Sequence, residues 1–278
     1  GSWQQIVDAN NQFSLGVYVQ EQHRHGFSYE SHDRMYNLEY DQTLNFNHTW
    51  QMNFGVSGRK HEISMASDEV FTFAQGALDV EAYVYSGYFL FHYNWDEKQA
   101  VELGTKLENH QHDLVTNKGT ENFDETYWLP NLRYINKISD KMSLWLSINH
   151  SPRVPSIAEH NMDVQLTSIP PLTATNPSPW LVEVRFIANP ELKSEKATSL
   201  ELGLRSQINT KLNFDLSLFL TEFDDVRATM PDGHICRYSQ QAVPNCLPDD
   251  RIITRLKGTN GIKADSHGLE IYGDWAVS

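Results

Sequence analysis

The fold is decided by Ser199-Leu200-Glu201-Leu202-Gly203-Leu204-Arg205 and by the segment that follows it, Leu212-Asn213-Phe214-Asp215-Leu216-Ser217-Leu218-Phe219-Leu220. Apolar residues take every even-numbered position of both segments. This period of two is typical of a β-strand with one apolar and one polar face. Few residues separate the segments, so we predict an antiparallel hairpin of two long strands.

The same alternation recurs along the chain, whereas helical periodicity is almost absent. It is clear in residues 38–46, 50–57 and 142–149. These patterns run to about twice the five or six residues of a typical globular strand. We therefore predict an all-β chain of about eleven long antiparallel strands in up-and-down order. One apolar and one charged face suit a half-buried sheet, and they also suit a barrel with lipid outside and water inside.

The register of the pattern predicts which residues share the apolar face. That face is expected to hold Leu200, Leu202, Leu204, Leu212, Phe214, Leu216, Leu218, Leu269 and Ile271. The opposite face is expected to hold Glu201, Asp215 and Glu270. A slip of one residue would exchange the two faces, so the prediction is sharp.

The predicted connections alternate in length. Short ones are expected near residues 8–12, 47–49, 94–97, 139–141 and 209–211. Long ones are expected near residues 24–33, 64–77, 110–125, 151–194 and 226–266. Short turns at one end and long loops at the other are how outer-membrane barrels are built. Without tandem repeats or a low-complexity linker, residues 1–278 are predicted to form a single domain.

Composition alone favours a different protein, an acidic soluble β-sandwich. Hydrophobic residues make up 40% of the chain, mean hydropathy is −0.51 and the net charge is −14. A basic face for phosphate binding is missing, so we expect no nucleic-acid partner. No apolar run reaches the roughly 18 residues that a transmembrane helix needs. The apolar and polar residues of an alternating strand cancel in the mean hydropathy, so a low value does not exclude strands that cross a membrane.

Two cysteines, Cys236 and Cys246, lie in a polar stretch that contains proline. Apart from His234, nothing nearby offers metal-ligand spacing. We predict a local disulfide at the same end of the sheet as Arg153, which would indicate an oxidising compartment. The alternative is two unrelated surface thiols.

A run of short motifs carries a family resemblance. It begins with Arg153-Val154-Pro155-Ser156 and Glu159, continues with Asn189-Pro190-Glu191-Leu192-Lys193-Ser194-Glu195, and ends with Glu201-Leu202-Gly203. The order and type of these motifs resemble the C-terminal half of TonB-dependent outer-membrane receptors. The resemblance implies part of a transmembrane barrel of about 22 strands in the outer membrane of a Gram-negative bacterium. It also implies import of a scarce nutrient rather than catalysis.

The resemblance further implies that this chain is a fragment. Gly1-Ser2 looks like a cloning remnant, and the chain stops within an alternating segment that ends at Trp275. We expect the plug domain, the signal peptide and the final strands to lie outside it, and contact with TonB to run through the missing N-terminal part. The isolated sheet is expected to be open or rearranged, with outer-membrane lipid as a partner in the intact protein.

The segment 153–195 is the predicted ligand-binding loop. It is long and rich in proline, and loops of this length are usually functional or disordered. By resemblance the ligand is a ferric siderophore, with haem, cobalamin and oligosaccharides left open. Arg153, Trp180 and Arg185 are the predicted contacts, because a charged chelate suits cations and an aromatic face. Alternatively, Arg153 only pins the loop to the barrel wall.

Twelve histidines raise the question of a metal site. The pairs His23 with His25 and His110 with His112 have same-face spacing, but we favour solvated loop histidines and predict no metal site and no cofactor. Ser156 lacks the flanking glycines of a nucleophile elbow, and no catalytic constellation appears. Two rival functions remain: a plug-less outer-membrane channel or adhesin, and a soluble β-sandwich that binds carbohydrate.

Overall fold

The computed structural model describes residues 1–8, 10–26, 29–67, 71–73, 77–116 and 119–276. Within these residues fourteen strands form one sheet, and there is one short helix. The elements are β1 (Ser2–Asp8), β2 (Asn11–His25), β3 (Tyr29–Asn45), β4 (Trp50–Ser67), β5 (Phe71–Phe73), β6 (Ala77–Asn94), β7 (Gln99–Thr116), β8 (Gly119–Ser139), β9 (Met142–Arg153), α1 (Ile157–Asn161), β10 (Met162–Ile169), β11 (Val182–Ile187), β12 (Glu195–Asn209), β13 (Leu212–Cys236) and β14 (Ile252–Trp275).

Eleven of these strands form an antiparallel meander in the order β1-β2-β3-β4-β6-β7-β8-β9-β12-β13-β14. This arrangement confirms the prediction of an all-β chain built from long antiparallel strands. Five tight turns join β1 to β2, β3 to β4, β6 to β7, β8 to β9 and β12 to β13, where short connections were predicted. These turns lie at one end of the sheet, the turn end, and the opposite end is the loop end.

The backbone pairing confirms the predicted apolar face. Leu202 lies opposite Leu218 on one side and Leu146 on the other, and Leu218 in turn lies opposite Leu269. Directly paired residues of an antiparallel sheet point to the same face. Leu202 and Leu269 nevertheless keep 42% and 54% of their surface exposed, because none of the described residues covers this face.

The buried apolar core is far smaller than a soluble domain of this length needs. Among the described residues it consists of Val80, Phe123, Tyr127, Leu192, Cys236 and Ile252. A sandwich would bury a whole face of each sheet against the other. Here the described strands form a single sheet that leaves a broad apolar face open, so the β-sandwich alternative is wrong.

The polar face is shaped by close contacts across strands. The indole of Trp145 lies over Gly203, where an added Cβ would fall 1.9 Å from the ring, so only glycine fits this position. The guanidinium carbons of Arg133 and Arg205 each lie 6.0 Å from the indole centre. Cations over an aromatic face are a favourable packing on a wet surface.

At the loop end the strands extend further than predicted. β7 and β8 remain paired up to Thr116 and Gly119, and β13 continues to Cys236, inside segments that were expected to be loops. The prediction relied on alternation of apolar and polar residues. Alternation is required only where one face is apolar, so these polar extensions carry no such pattern although their backbones pair.

Three short strands, β5, β10 and β11, were missed by the sequence analysis, and we call them the bridge. β11 pairs in parallel with β14, from Val182 opposite Ile252 to Ile187 opposite Lys257. β10 pairs antiparallel with β11 and with β5, which lies between β4 and β6 in the chain. The bridge therefore links β14 to the connection between β4 and β6, and its parallel pairing corrects the expectation of purely antiparallel strands.

Across the described ranges, the structure contains no helix that is long and apolar enough to span a membrane.

Candidate functional site at the loop end

The segment between β9 and β12 builds the centre of the loop end. α1 starts at the Pro155-Ser156 pair, where the backbone N–H of Ser156 donates to the Glu159 carboxylate at 2.8 Å. In return the backbone N–H of Glu159 donates to Ser156 Oγ at 3.2 Å. This reciprocal capping box fixes the start of the helix. Ser156 is thus a helix cap, which agrees with the absence of a nucleophile elbow.

Two arginines and two glutamates form a cluster that we call the clasp: Arg153, Glu159, Glu195 and Arg227. Arg227 binds the Glu159 carboxylate and donates to the backbone oxygen of Arg153 at 3.0 Å. Arg153 donates to Glu195 at 2.6 Å, and the backbone N–H of Arg227 donates to the same carboxylate group at 2.7 Å. The clasp therefore joins β9, α1, β12 and β13.

The clasp keeps both glutamates ionised. Burial would raise the pKa of Glu159, but hydrogen bonds from Ser156 and Arg227 outweigh it and hold the pKa below its usual value. Burial also opposes ionisation of Glu195, where bonds from Arg227 and Arg153 again lower the pKa. Through its bond to Glu195, Arg153 pins the loop to the sheet. Its side chain is 65% exposed, so it also faces solvent.

A pair of histidines fastens α1 to β7. His112 Nε2 and His160 Nδ1 lie 3.1 Å apart, and His160 Nε2 lies 3.0 Å from the backbone oxygen of Leu192. The carbonyl can only accept, so His160 donates through Nε2 and receives the His112 proton at Nδ1. Both rings are buried, which lowers the pKa of His112 to about 4 and also lowers that of His160.

This arrangement corrects the predictions for the pair His110 and His112. His112 is buried rather than solvated, and its Nε2 is engaged in a hydrogen bond. His110 packs edge-on against Tyr127, with 5.5 Å between ring centres. The two imidazoles therefore serve packing on the polar face at the loop end.

Arg185 occupies a buried ionic cluster within the bridge. Its side chain is 2% exposed, and Nε donates to Asp163 at 2.8 Å. The fully buried carboxylate of Glu183 lies 3.4 Å from Arg185 and accepts from Arg237 at 2.9 Å and Arg251 at 2.7 Å. Burial would raise the pKa of Glu183, but these guanidinium groups lower it. The guanidinium of Arg185 is thus turned to acidic partners within the bridge.

Trp180 and the disulfide hold the outermost loop. Cys236 and Cys246 are bonded, at the same end of the sheet as Arg153. Trp180 is half-buried and its indole N–H donates to the backbone oxygen of Leu247 at 2.8 Å. Trp180 therefore sits beside the disulfide loop, while Arg153 belongs to the clasp, and the three predicted contacts do not form one cluster.

The loop-end segments also carry several large apolar side chains that are exposed. The exposed side chains there include Leu166, Leu172, Tyr238 and Leu247. Sequence reasoning missed the roles of Glu183 and Arg227. The alternating Val182-Glu183-Val184-Arg185-Phe186 could have indicated the short strand β11, but no local signal names the ionic partners from other elements.

Comparisons with known proteins agree with this architecture. The structure resembles the siderophore receptor PirA from Pseudomonas aeruginosa, with a TM-score of 0.65, 13% identity, and coverage of 95% of this chain and 43% of that one. It resembles the FrpB iron transporter from Neisseria meningitidis, with a TM-score of 0.63, 12% identity, and coverage of 99% and 40%. It resembles the copper transporter OprC, with a TM-score of 0.61, 13% identity, and coverage of 96% and 39%.

At such identities the similarity shows the fold alone, and the chain spans about two fifths of the length of these structures. No curated protein matches the sequence. The family described as TonB dependent receptor-like, beta-barrel matches residues 1–278. The chain therefore belongs to the TonB-dependent receptor-like β-barrel family.

Proposed function

We propose that the intact protein captures a ferric siderophore at the cell surface and imports it with energy supplied through TonB. Receptors of this family reside in the outer membrane, and so does this barrel. The proposal is carried by the loop end, where a base fixed by ion pairs supports exposed apolar tips. Of the three similar structures, one is named as a siderophore receptor, one as an iron transporter and one as a copper transporter.

Outer-membrane lipid is the cover that we propose for the apolar face. That face continues across all eleven meander strands, for example from Trp3 opposite Leu15 to Leu218 opposite Leu269. A broad apolar face is stable only against lipid or protein. The opposite face carries Asp41, Glu201 and Asp215 and suits a wet lumen.

Trp180 and Arg153 are the ligand contacts that we propose to test. Arg153 combines a fixed backbone with an exposed side chain, and a guanidinium can meet the negative charge of a ferric chelate. Trp180 offers part of an aromatic face at the edge of the exposed tips. Arg185 supports the loop from below, because a contact with ligand would require it to leave Asp163 and Glu183.

The test is uptake by iron-starved cells that carry the full-length protein, using labelled ferric siderophores, haem, cobalamin and copper as probes. Trp180→Ala should weaken uptake of the ferric siderophore by about tenfold, equivalent to about 1.4 kcal/mol of binding. Trp180→Phe keeps an aromatic ring but loses the bond to Leu247, so it separates ligand contact from loop support.

Trp95→Ala is the matched control, since Trp95 is 70% exposed at the turn end. It should leave uptake unchanged. Uptake of only haem, cobalamin or copper would refute the siderophore proposal. Equal loss in Trp180→Phe and Trp180→Ala would assign Trp180 to loop support instead.

A further inference from the structure

A group of metal-ligating side chains lies on the hairpin of β2 and β3, away from the loop-end site. The register pairs His23 with His32 and Glu21 with Arg34. Residues two apart on a strand share a face, so all four side chains lie together on one side of the sheet. It is the side of the apolar face, one step beyond the last apolar pair, Val19 and Tyr36, towards the loop end.

The donor atoms are close enough for one ion. His32 Nε2 lies 2.8 Å and His23 Nε2 lies 3.9 Å from Glu21 Oε1. The two imidazole rings are stacked, with centres 4.1 Å apart and planes 19° apart. One ligand atom from each of the three residues lies within 4.8 Å of the other two. The backbone pairing makes the three residues neighbours on one face of the hairpin, within reach of one ion.

We propose that Glu21, His23 and His32 bind a divalent transition-metal ion of the Zn²⁺ type. Two imidazoles and one carboxylate are a ligand set that zinc accepts, with water in the fourth position. The side chains are 62%, 47% and 40% exposed for His23, Glu21 and His32, so they can rotate to the roughly 2.0–2.2 Å bonds that zinc requires. The ion would cross-link β2 and β3.

The surroundings both favour and oppose the ion. Arg34 lies 2.7 Å from the same Glu21 oxygen and competes for it. The carboxylate has a second oxygen and further lone pairs, so it can bind Arg34 and the metal ion at the same time. Next to His32 the groove wall carries Glu62, Asp79, Glu81 and Asp113. Lys60 pairs with Glu62 at 2.9 Å and with Glu81 at 2.8 Å, so Asp79 and Asp113 are the carboxylates of this wall that add negative charge near the site.

Other groupings in the described chain do not compete with this site. The second set with suitable spacing is Cys236, Cys246 and Asp250, but its two sulfurs are bonded to each other. His25 pairs with Glu30 at 3.5 Å and is the nearest histidine outside the group on the same face. It therefore provides a matched control.

The test is calorimetric titration of the full-length protein, purified in detergent, with Zn²⁺ alone. The wild type should bind one equivalent that His23→Ala with His32→Ala loses, and Glu21→Gln should bind at least about tenfold more weakly. Arg34→Gln should bind more tightly, because it removes the competing cation. His25→Ala should titrate like the wild type.

Folding of each variant is checked by the shift in gel mobility on heating, and the substituted side chains are exposed enough to leave it unchanged. Co²⁺ in place of Zn²⁺ should give visible absorption bands in the wild type and not in the double variant. The proposal is overturned if the double variant retains the Zn²⁺ equivalent, or if His25→Ala weakens binding as much as Glu21→Gln.

Discussion

Arg227 is the residue on which the loop end depends most. Its guanidinium and backbone N–H together reach Glu159, Arg153 and Glu195. The side chain is 10% exposed, so its partners would lose their charge compensation in a poorly solvated place if it were removed. Removing one member of a buried ionic cluster leaves the other charges desolvated and unpaired, and this lowers the free energy of unfolding.

Arg227→Met should therefore destabilise the protein by on the order of 2 kcal/mol, the range for hydrogen bonds to charged groups. Unfolding by denaturant in detergent measures this free energy. Arg205→Met is the matched control, because the Arg205 side chain is 69% exposed and its pair with Asp215 should contribute about 0–1 kcal/mol. Equal effects of the two substitutions would contradict a special role for the clasp.

At the scale of elements, hydrogen bonds and an ion pair hold α1 against the neighbouring strands. A helix of five residues is too short to be stable alone, so its docking must come from tertiary contacts. The capping box starts it, Arg227 holds its Glu159, and His160 bonds to His112 and to the backbone at Leu192. Docking buries both imidazoles, and Nδ1 of His160 can accept the proton of His112 only while His160 is neutral.

Docking of α1 should weaken as the pH falls. Burial depresses the pKa of His112 to about 4, whereas its usual value is near 6.5. Between these two pH values His112 is protonated in the undocked state and neutral in the docked state. The stability of docking is thus full above about pH 6.5 and is lost progressively towards about pH 4. Hydrogen exchange of the amides in residues 157–161 measures it.

His112→Phe should reduce this pH dependence to the part that His160 contributes, without abolishing docking, since the ring of Phe123 already lies 4.5 Å from the ring at position 112. Exchange rates at residues 157–161 that stay constant from pH 7 to pH 4.5, after correction for intrinsic exchange, would show that the pair does not control docking.

At the scale of the whole molecule, the parts that could be predicted are those in which one face of the sheet is apolar. There the alternation of Leu200, Leu202 and Leu204 fixed both register and face correctly. The polar extensions of β7, β8 and β13 carry no alternation, so the sequence pattern predicts loops there. The bridge depends on pairing between segments far apart in sequence, which no local pattern encodes. Arg185 is predicted from the sequence as a ligand contact, because the sequence does not reveal that its side chain is buried beside Asp163 and Glu183.

A charge in the middle of the apolar face tests whether that face meets lipid. Leu202→Arg should cost roughly 2–4 kcal/mol in a lipid bilayer, because the guanidinium would lie near the midplane. Glu201→Arg, one residue away on the polar face, should cost about 1 kcal/mol or less. The free energy of unfolding from lipid vesicles gives both values. A larger cost for Glu201→Arg than for Leu202→Arg would mean that the two faces are exchanged.

We propose that this barrel belongs to an importer energised by TonB. The most direct measurement is the initial rate of uptake of radiolabelled ferric siderophore by iron-starved cells that carry the full-length protein, with and without a deletion of TonB. We predict saturable uptake that disappears in the deletion strain while binding at the cell surface remains. Uptake that continues at the same rate without TonB would contradict the account and would favour the passive-channel alternative.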